Sequence, residues 1–315
     1  MLNMISEMFP IALMLATPLI ITALGGFFSE RSGVVNVALD GCMQIGGFTA
    51  AAVLVLLSTS GFKGGIWWAI ICAVLASTLF VSIHAFASIH MRADQTISGT
   101  ALNVLASGLT IYLCEIIFNQ ERTNSYSMSE VFSRVSIPVL KDIPVIGKLF
   151  FTNNYPYTYV AFILVVIVWF AAYKTSFGLR LRSCGEFPQA SASMGVNVAK
   201  ERWIGVLLSG ALSGLGGAFL VLSTDTQFTG ASVHGLGFVA IATLIFGKWN
   251  PWGILGAGIL FGFAQTLSYY VSGTAIPQEV MSMVPYLTTI LVIILTSGKQ
   301  VGPKASGEIY DPSKR

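Results

Sequence analysis

The sequence predicts an all-α, polytopic membrane protein, a helical bundle with about 8–10 transmembrane helices. Of its 315 residues, 54% are hydrophobic and only 10% are charged, whereas a soluble globular domain carries about 25% charged residues. The mean hydropathy is +0.76. The apolar runs are long, contain Gly and Ser, and lack the period-two alternation of an outer-membrane barrel. We therefore expect residues 1–315 to form a single transmembrane domain.

Nine apolar segments are candidates for membrane spans, at about 20 residues each. The second and the seventh are interrupted by polar residues or glycine, so the number of crossings stays open by one or two. No Lys or Arg precedes Arg31, so the first segment is expected to stay in the membrane rather than be cleaved as a signal peptide. The candidates are 9–28, 34–57, 66–89, 96–118, 155–173, 203–222, 232–246, 252–271 and 281–297.

Composition and motifs exclude several function classes. The net charge of +3 is small and its basic residues lie in loops, so the sequence indicates no nucleic-acid partner. The four cysteines are widely spaced, which gives neither a disulfide framework nor a metal site. No Gly-Lys pair is followed by Ser or Thr, as a phosphate-binding loop requires. The chain is therefore predicted to have no ATPase site, no metal and no enzymatic activity of its own.

A polar stretch at 177–202 is expected to lie in water between two membrane segments, because it carries four basic and two acidic residues. Within it, Pro188 fits the first position of a helix and Gly195 fits the position after its end. The spacing predicts about two helical turns over 188–194, which are too short to be stable without a partner surface. The small residues Ala190, Ser191, Ala192 and Ser193 are predicted to be exposed. An ordinary loop with one turn of helix remains the alternative.

This stretch resembles the coupling loop of ABC-importer permeases that carry nucleosides, simple sugars or branched-chain amino acids. The shared pattern is G-E-x-P-x-A-[AS]-x-x-x-G-[IV]-N-V, and this chain has Phe187 and Ser191 where the family more often has Asn and Ala. The resemblance implies that the loop couples the permease to an ATPase. The residues expected to do so are Glu186, Pro188, Ala190, Ser191 and Gly195.

A second polar feature follows the first span, where Asn36, Asp40 and Gln44 recur every four residues and so share one face of a helix. Polar groups at membrane depth usually face a bundle interior or a water-filled cavity, so this face is predicted to line a translocation path. The alternative is that these residues only hydrogen-bond neighbouring helices. Isolated polar residues elsewhere add Asn103 and His234 to the predicted path, and the weaker candidates are Glu115, Asp225 and Gln265.

The segment from Glu30 to Met43 also resembles this permease family, most closely its nucleoside-type members, which read E-R-[SA]-G-V-[VI]-N at this place. The resemblance implies the membrane subunit of a bacterial importer in the plasma membrane, with nucleosides as cargo. Simple sugars such as ribose or galactose, and riboflavin, remain alternatives. A different class, an ion-coupled secondary transporter or a scaffold without transport, stays open.

Family resemblance also implies partners. They are ABC ATPase subunits that bind the ATP, a second permease subunit that is identical or a sister chain, and an extracytoplasmic substrate-binding protein or lipoprotein. The positive-inside rule places the coupling loop, 174–202, and the tail, 299–315, in the cytoplasm and the segment 119–154 outside. An internal repeat is suggested by LGGFF at 24–28 and LGGAF at 215–219.

Overall fold

The computed structural model describes residues 2–61, 64–127, 152–233, 235–271 and 302–311, together with positions 131, 133–136, 150, 283, 287, 290 and 294. Side-chain surroundings are described throughout these residues except at 2–7 and 268–271. Over these ranges the regular secondary structure is helical, and the pairing between extended segments is limited to two isolated bridges, Arg122 with Thr229 and Val135 with Asn154. The predicted all-α fold is confirmed.

The described part of the chain forms ten helices, and six of them are long and apolar enough to cross a membrane. The six are α1, α2, α3, α4, α5 and α8, which confirms a polytopic membrane bundle. In chain order the helices are α1 (Leu2–Arg31), α2 (Leu39–Thr59), α3 (Gly65–Ile89), α4 (Gln95–Phe118), α5 (Pro156–Lys174), α6 (Ser176–Glu186), α7 (Pro188–Ser193), α8 (Val198–Thr224), α9 (Leu236–Phe246) and α10 (Pro251–Val271).

Two predicted spans differ from the structure. The segment 232–246 contains only the 11-residue α9, because Gly235 before it has a left-handed φ of +74° that a right-handed helix cannot include. Eleven residues extend about 16 Å, roughly half of a hydrocarbon core. The segment 34–57 becomes helical only at Leu39. The segment 281–297 lies outside the described residues apart from the single positions named above.

Helix α8 lies at the centre of the bundle and packs against α1, α2 and α3, while α1 also packs along α10. Glycines allow these close approaches, since a methyl group at Gly46 would collide with the backbone of Gly214, and one at Gly214 would collide with Ser77. Gly210 packs against α3 in the same way. On α10, a methyl group at Gly258 or Gly262 would collide with α1. Both G-x-x-x-G pairs of the sequence are thus sites of close helix packing.

Helices α1 and α8 run antiparallel, because Phe28 lies beside Gly205 whereas Thr22 lies beside Gly216. Each is followed by a non-helical stretch and then by a further helix, α2 after α1 and α9 after α8. This order matches the similarity between LGGFF and LGGAF. The duplication itself stays a prediction.

The predicted coupling loop and the tail lie at the same end of the bundle, where the backbone N–H of Ala305 donates to the carbonyl of Gly185 over 2.9 Å. The described part of 119–154 lies at the opposite end. There the Tyr126 hydroxyl donates to the carbonyls of Val221 and Asp225. The described residues of the two loops therefore lie at opposite ends of the bundle. Which end faces the cytoplasm stays a prediction.

Candidate functional site

The predicted path face begins in the non-helical stretch 32–38, before α2. The Asn36 side-chain amide donates to Ser209 Oγ over 2.9 Å, and its carbonyl oxygen accepts from the backbone N–H of Ala38 over 3.0 Å. Ser209 follows Val198, the first residue of α8, by eleven positions, which is about 16 Å along the helix. The stretch therefore reaches the middle of the bundle before α2 starts.

Asp40, in the first turn of α2, contacts the first turn of α9. Its Oδ1 accepts from the backbone N–H of Gly237 over 2.9 Å. The first N–H groups of a helix have no partner within the helix and form the positive end of its dipole. Asp40 thus caps α9 from another helix. A methyl group at Gly237 would collide with the Asp40 backbone, so the two helix starts are in direct contact.

Gln44 and Asn103, the two further predicted path residues that the structure describes, connect α4 to α2 and to the stretch before it. Ser107 on α4 donates to Gln44 Oε1 over 2.9 Å. The Asn103 carbonyl oxygen accepts from the backbone N–H of Gly41 over 2.8 Å, and its amide donates to the Val37 carbonyl over 3.0 Å. Each of these bonds joins two different elements of the bundle.

The structure brings four of the five predicted path residues together, and all four are buried. Asn36 is 2% exposed, Asp40 and Gln44 are 6% exposed, and Asn103 is 9% exposed. Their bonds to neighbouring helices are those that the packing alternative requires, so their role in transport stays a prediction. His234 lies outside the described residues. Of the weaker candidates, Gln265 is buried, Asp225 is half-buried and Glu115 is exposed.

Sequence reasoning missed a row of hydroxyl groups on α4, spaced three or four residues apart around Asn103. Its members on the exposed side are Thr96 and Thr100, while Ser107 is half-buried and Thr110 is buried. The row on α4 lies next to the polar face of α2 and extends from the interior of the bundle to the outer surface of the bundle. The helical spacing of the hydroxyl residues was the signal that could have revealed it.

The predicted coupling helix is present as α7, which starts at Pro188, and Gly195 behind it has a φ of +83°. Its exposure differs from the prediction, because Ser191 is only 6% exposed and donates its hydroxyl to the Phe187 carbonyl. Ser191 follows Pro188 by three positions, so both residues face inward. Ala192 is half-buried, whereas Ala190 and Ser193 are exposed as predicted.

Two large apolar side chains flank this helix on the exposed surface and were not predicted. Met194 is 84% exposed and Phe187 is 61% exposed. The exposed surface around α7 therefore combines the small residues Ala190 and Ser193 with two apolar side chains. Such a surface suits burial against another protein, since apolar area released from water stabilises association.

Comparison with known proteins identifies the family to which this chain belongs. Residues 9–293 match the family described as branched-chain amino acid transport system / permease component. The chain belongs to this family. The Bacillus subtilis guanosine ABC transporter permease protein NupQ is 44% identical over 317 residues, which cover 99% of each chain. The Lactococcus lactis nucleoside ABC transporter permease protein NupC is 42% identical and 96% of each chain is covered.

A second Bacillus subtilis chain, the guanosine ABC transporter permease protein NupP, is 29% identical over 286 residues. That alignment covers 89% of this chain and 77% of the relative. The predicted resemblance is thus confirmed, and so is the prediction of a multi-pass permease.

In this permease the Glu30–Arg31 motif connects the predicted coupling region to the turn between α9 and α10. Arg31 Nη1 lies 3.5 Å from Glu186 Oε1, and its Nη2 donates to the Trp249 carbonyl over 3.0 Å. The Trp249 indole N–H donates to Glu30 Oε2 over 2.6 Å. The residues that carried the family resemblance therefore meet at one end of the bundle.

Close to this connection, the Cys184 thiol of the permease is fully buried between α6, α7 and α8. Burial raises the pKa of this thiol to about 11, with the nearby Glu201 carboxylate adding to the effect. A thiol reacts as the thiolate. Burial therefore disfavours the reactive thiolate form of Cys184.

Proposed function

We propose that this chain is the membrane-spanning subunit of a bacterial ABC importer that carries nucleosides across the plasma membrane. The observation that carries the proposal is the near full-length identity of 44% and 42% to permeases named for guanosine and nucleoside transport. The cargo is inferred from those names. ATP is bound and hydrolysed by separate subunits.

The chemistry at the meeting point of α2, α4 and α9 supports a neutral cargo. Amides and hydroxyls dominate there, and the Asp40 carboxylate already accepts a bond from Gly237. Amide and hydroxyl groups both donate and accept hydrogen bonds, as the ribose hydroxyls and base edges of a nucleoside require. An anionic cargo would meet a carboxylate of the same sign.

The proposal includes the partners that such importers need. The exposed surface of α7, with Phe187 and Met194, would dock on an ATPase subunit. An extracytoplasmic binding protein or lipoprotein would deliver the cargo. For the second permease we favour a sister chain, because Bacillus subtilis has two guanosine permease proteins that both resemble this sequence. In this arrangement α7 and the tail are cytoplasmic.

The decisive experiment measures uptake of labelled guanosine, adenosine, ribose, galactose and riboflavin in a strain that lacks this chain. We expect nucleoside uptake to fall to background and to return with the plasmid-borne gene, while uptake of the sugars and riboflavin persists. Loss of ribose or riboflavin uptake with intact nucleoside uptake would overturn the cargo proposal.

The same strain distinguishes ATP-driven transport from ion-coupled transport. In energised vesicles we expect uptake to continue when an ionophore collapses the ion gradients and to stop when ATP is depleted. An ATPase should co-purify with the tagged permease. Uptake that follows the ion gradient in the absence of ATP would contradict the proposal.

A further inference from the structure

Residues 302–311, here named the tail strap, cross the end of the bundle that carries the coupling helix. The strap starts at Gly302, which packs against the Trp249 ring. The Ala305 backbone N–H donates to the Gly185 carbonyl, three residues before Pro188. Ala305 is only 3% exposed, so this part of the strap is embedded in the bundle surface.

The strap also covers the non-helical stretch that leads to Asp40. A methyl group at Gly33 would lie 3.3 Å from the Ala305 carbonyl oxygen, and one at Gly307 would lie 3.6 Å from Val35. Beyond this point the Asp311 carboxylate lies 3.4 Å from the Arg92 guanidinium, in the turn between α3 and α4. One short segment therefore contacts the coupling region, the start of the predicted path and the α3–α4 turn.

Arg202, in the first turns of α8, lies buried beneath the strap, and part of its guanidinium has no hydrogen-bond partner among the described residues. Its side chain is 1% exposed, and its Nη1 donates to the Glu308 carbonyl over 3.0 Å. The centre of the Tyr310 ring lies 5.8 Å from Arg202 Cζ. The Nε and Nη2 atoms of Arg202 have no hydrogen-bond partner among the described residues. The same is true of Oε2 of the adjacent, buried Glu201.

Burying charged groups with unmet hydrogen bonds is costly. If the strap detached, water would reach Arg202, and the gain in hydration would offset part of the contacts that are lost. The burial of Arg202 therefore opposes attachment of the strap. A modest force from a partner on the coupling helix could then shift the balance.

We propose that the tail strap is a latch, which ties the base of the coupling helix to the stretch 32–38 and holds this end of the path closed until the ATPase engages. The proposal rests on the proposed function, since it assigns the strap a place in the ATP-driven cycle. Its structural part, attachment and release, can be measured without any transport.

Cys184 reports strap attachment, because it precedes Gly185 in the chain and is close enough to Arg202 to interact with it electrostatically. At pH 8, a pKa of about 11 leaves roughly one thiol in a thousand as thiolate, against about one in four for an ordinary exposed cysteine. Release of the strap should raise its rate of maleimide labelling by at least about tenfold.

The test uses the full complex in membranes, with Cys42, Cys72 and Cys114 replaced by Ala. Tyr310→Ala should speed Cys184 labelling, raise basal ATP hydrolysis and lower the uptake per ATP. A chain truncated after residue 301 should show larger effects of the same kind. Ile309→Ala is the matched control, because this neighbouring side chain is 50% exposed and should change neither readout.

An unchanged labelling rate in both variants, with the chain inserted and assembled, would overturn the latch. Faster labelling with unchanged ATP coupling would also overturn it, since the strap would then be mobile without controlling transport. If the truncated chain does not assemble, Tyr310→Ala alone decides. Failure of nucleoside uptake in the unmodified complex would instead contradict the proposed function and leave the labelling result standing.

Discussion

Asp40 Oδ1 accepts a hydrogen bond from the backbone N–H of Gly237 over 2.9 Å, across a sequence separation of 197 residues. This bond joins the first turns of α2 and α9, two helices that start in the interior of the bundle. Transporters often place such interrupted helices at the substrate site, where their ends face the cargo. In this chain a carboxylate already satisfies one of these ends. Asp40 is therefore a packing element, and its contact with cargo stays a prediction.

Substitution of Asp40 separates these two roles. In Asp40→Asn the side-chain oxygen can still accept from Gly237, so we expect an assembled complex whose uptake is several-fold slower because the charge is gone. Asp40→Ala removes the cap, at a cost of about 1 kcal/mol, and should lower both uptake and the thermal midpoint. Normal uptake in Asp40→Ala would contradict a role in the path. Loss of assembly in Asp40→Asn would make the residue purely structural.

Gly237 should tolerate no side chain. In Gly237→Ala the new methyl group would collide with the Asp40 backbone, so we expect little folded permease in detergent extracts analysed by size-exclusion chromatography. Gly256→Ala on α10 is the matched control, because nothing lies within 4 Å of a methyl group there. Equal yields of the two variants would show that α2 and α9 can separate at no cost.

The exposed face of α7 should respond to charge. We expect Ala190→Arg to leave the permease in the membrane but to reduce uptake per ATP hydrolysed at least tenfold, because a long charged side chain would enter the docking surface. Ser60→Arg, exposed in the turn after α2 at the opposite end of the bundle, is the control. Ser191 is unsuitable for this test since it is buried. Unchanged coupling in Ala190→Arg would remove α7 from the ATPase interface.

Orientation can be tested with single cysteines in a chain without the native four. With an impermeant maleimide on intact cells, we expect Ser125→Cys to be labelled and Lys304→Cys to be labelled only after permeabilisation, as the positive-inside rule requires. Both positions are exposed. The reverse pattern would invert the predicted topology, and with it the location of the coupling helix.

The bond between Trp249 and Glu30 should contribute measurably to stability. Trp249→Phe leaves the Glu30 carboxylate, 8% exposed, without this indole donor, and an unmet buried acceptor costs about 1–3 kcal/mol. We expect a lower thermal unfolding midpoint in detergent. Trp252→Phe in the same region is the control, because that side chain is 49% exposed. Equal midpoints would indicate that water replaces the indole.

The sequence by itself determined the membrane class, the long spans and the position of the short helix α7. These features follow from local properties. A span needs only a sufficient length of apolar residues. Helix α7 begins at Pro188, whose ring fixes φ at a helical value, and ends before Gly195, which readily adopts the left-handed conformation that follows a helix. The family could also be recognised from sequence, since the Glu30 and Gly185 motifs are contiguous stretches.

Tertiary structure alone decided which residues meet and which are exposed. Helical spacing placed Asn36, Asp40 and Gln44 together, yet only the packed bundle shows Gly237 opposite Asp40 and Ser209 opposite Asn36. The same holds for the inward side of Ser191 and for the strap, whose contacts with Gly185 and Arg202 are remote in the chain. Local pattern fixes where a helix can form, but contacts between distant residues depend on how whole helices pack, which no single window of sequence contains.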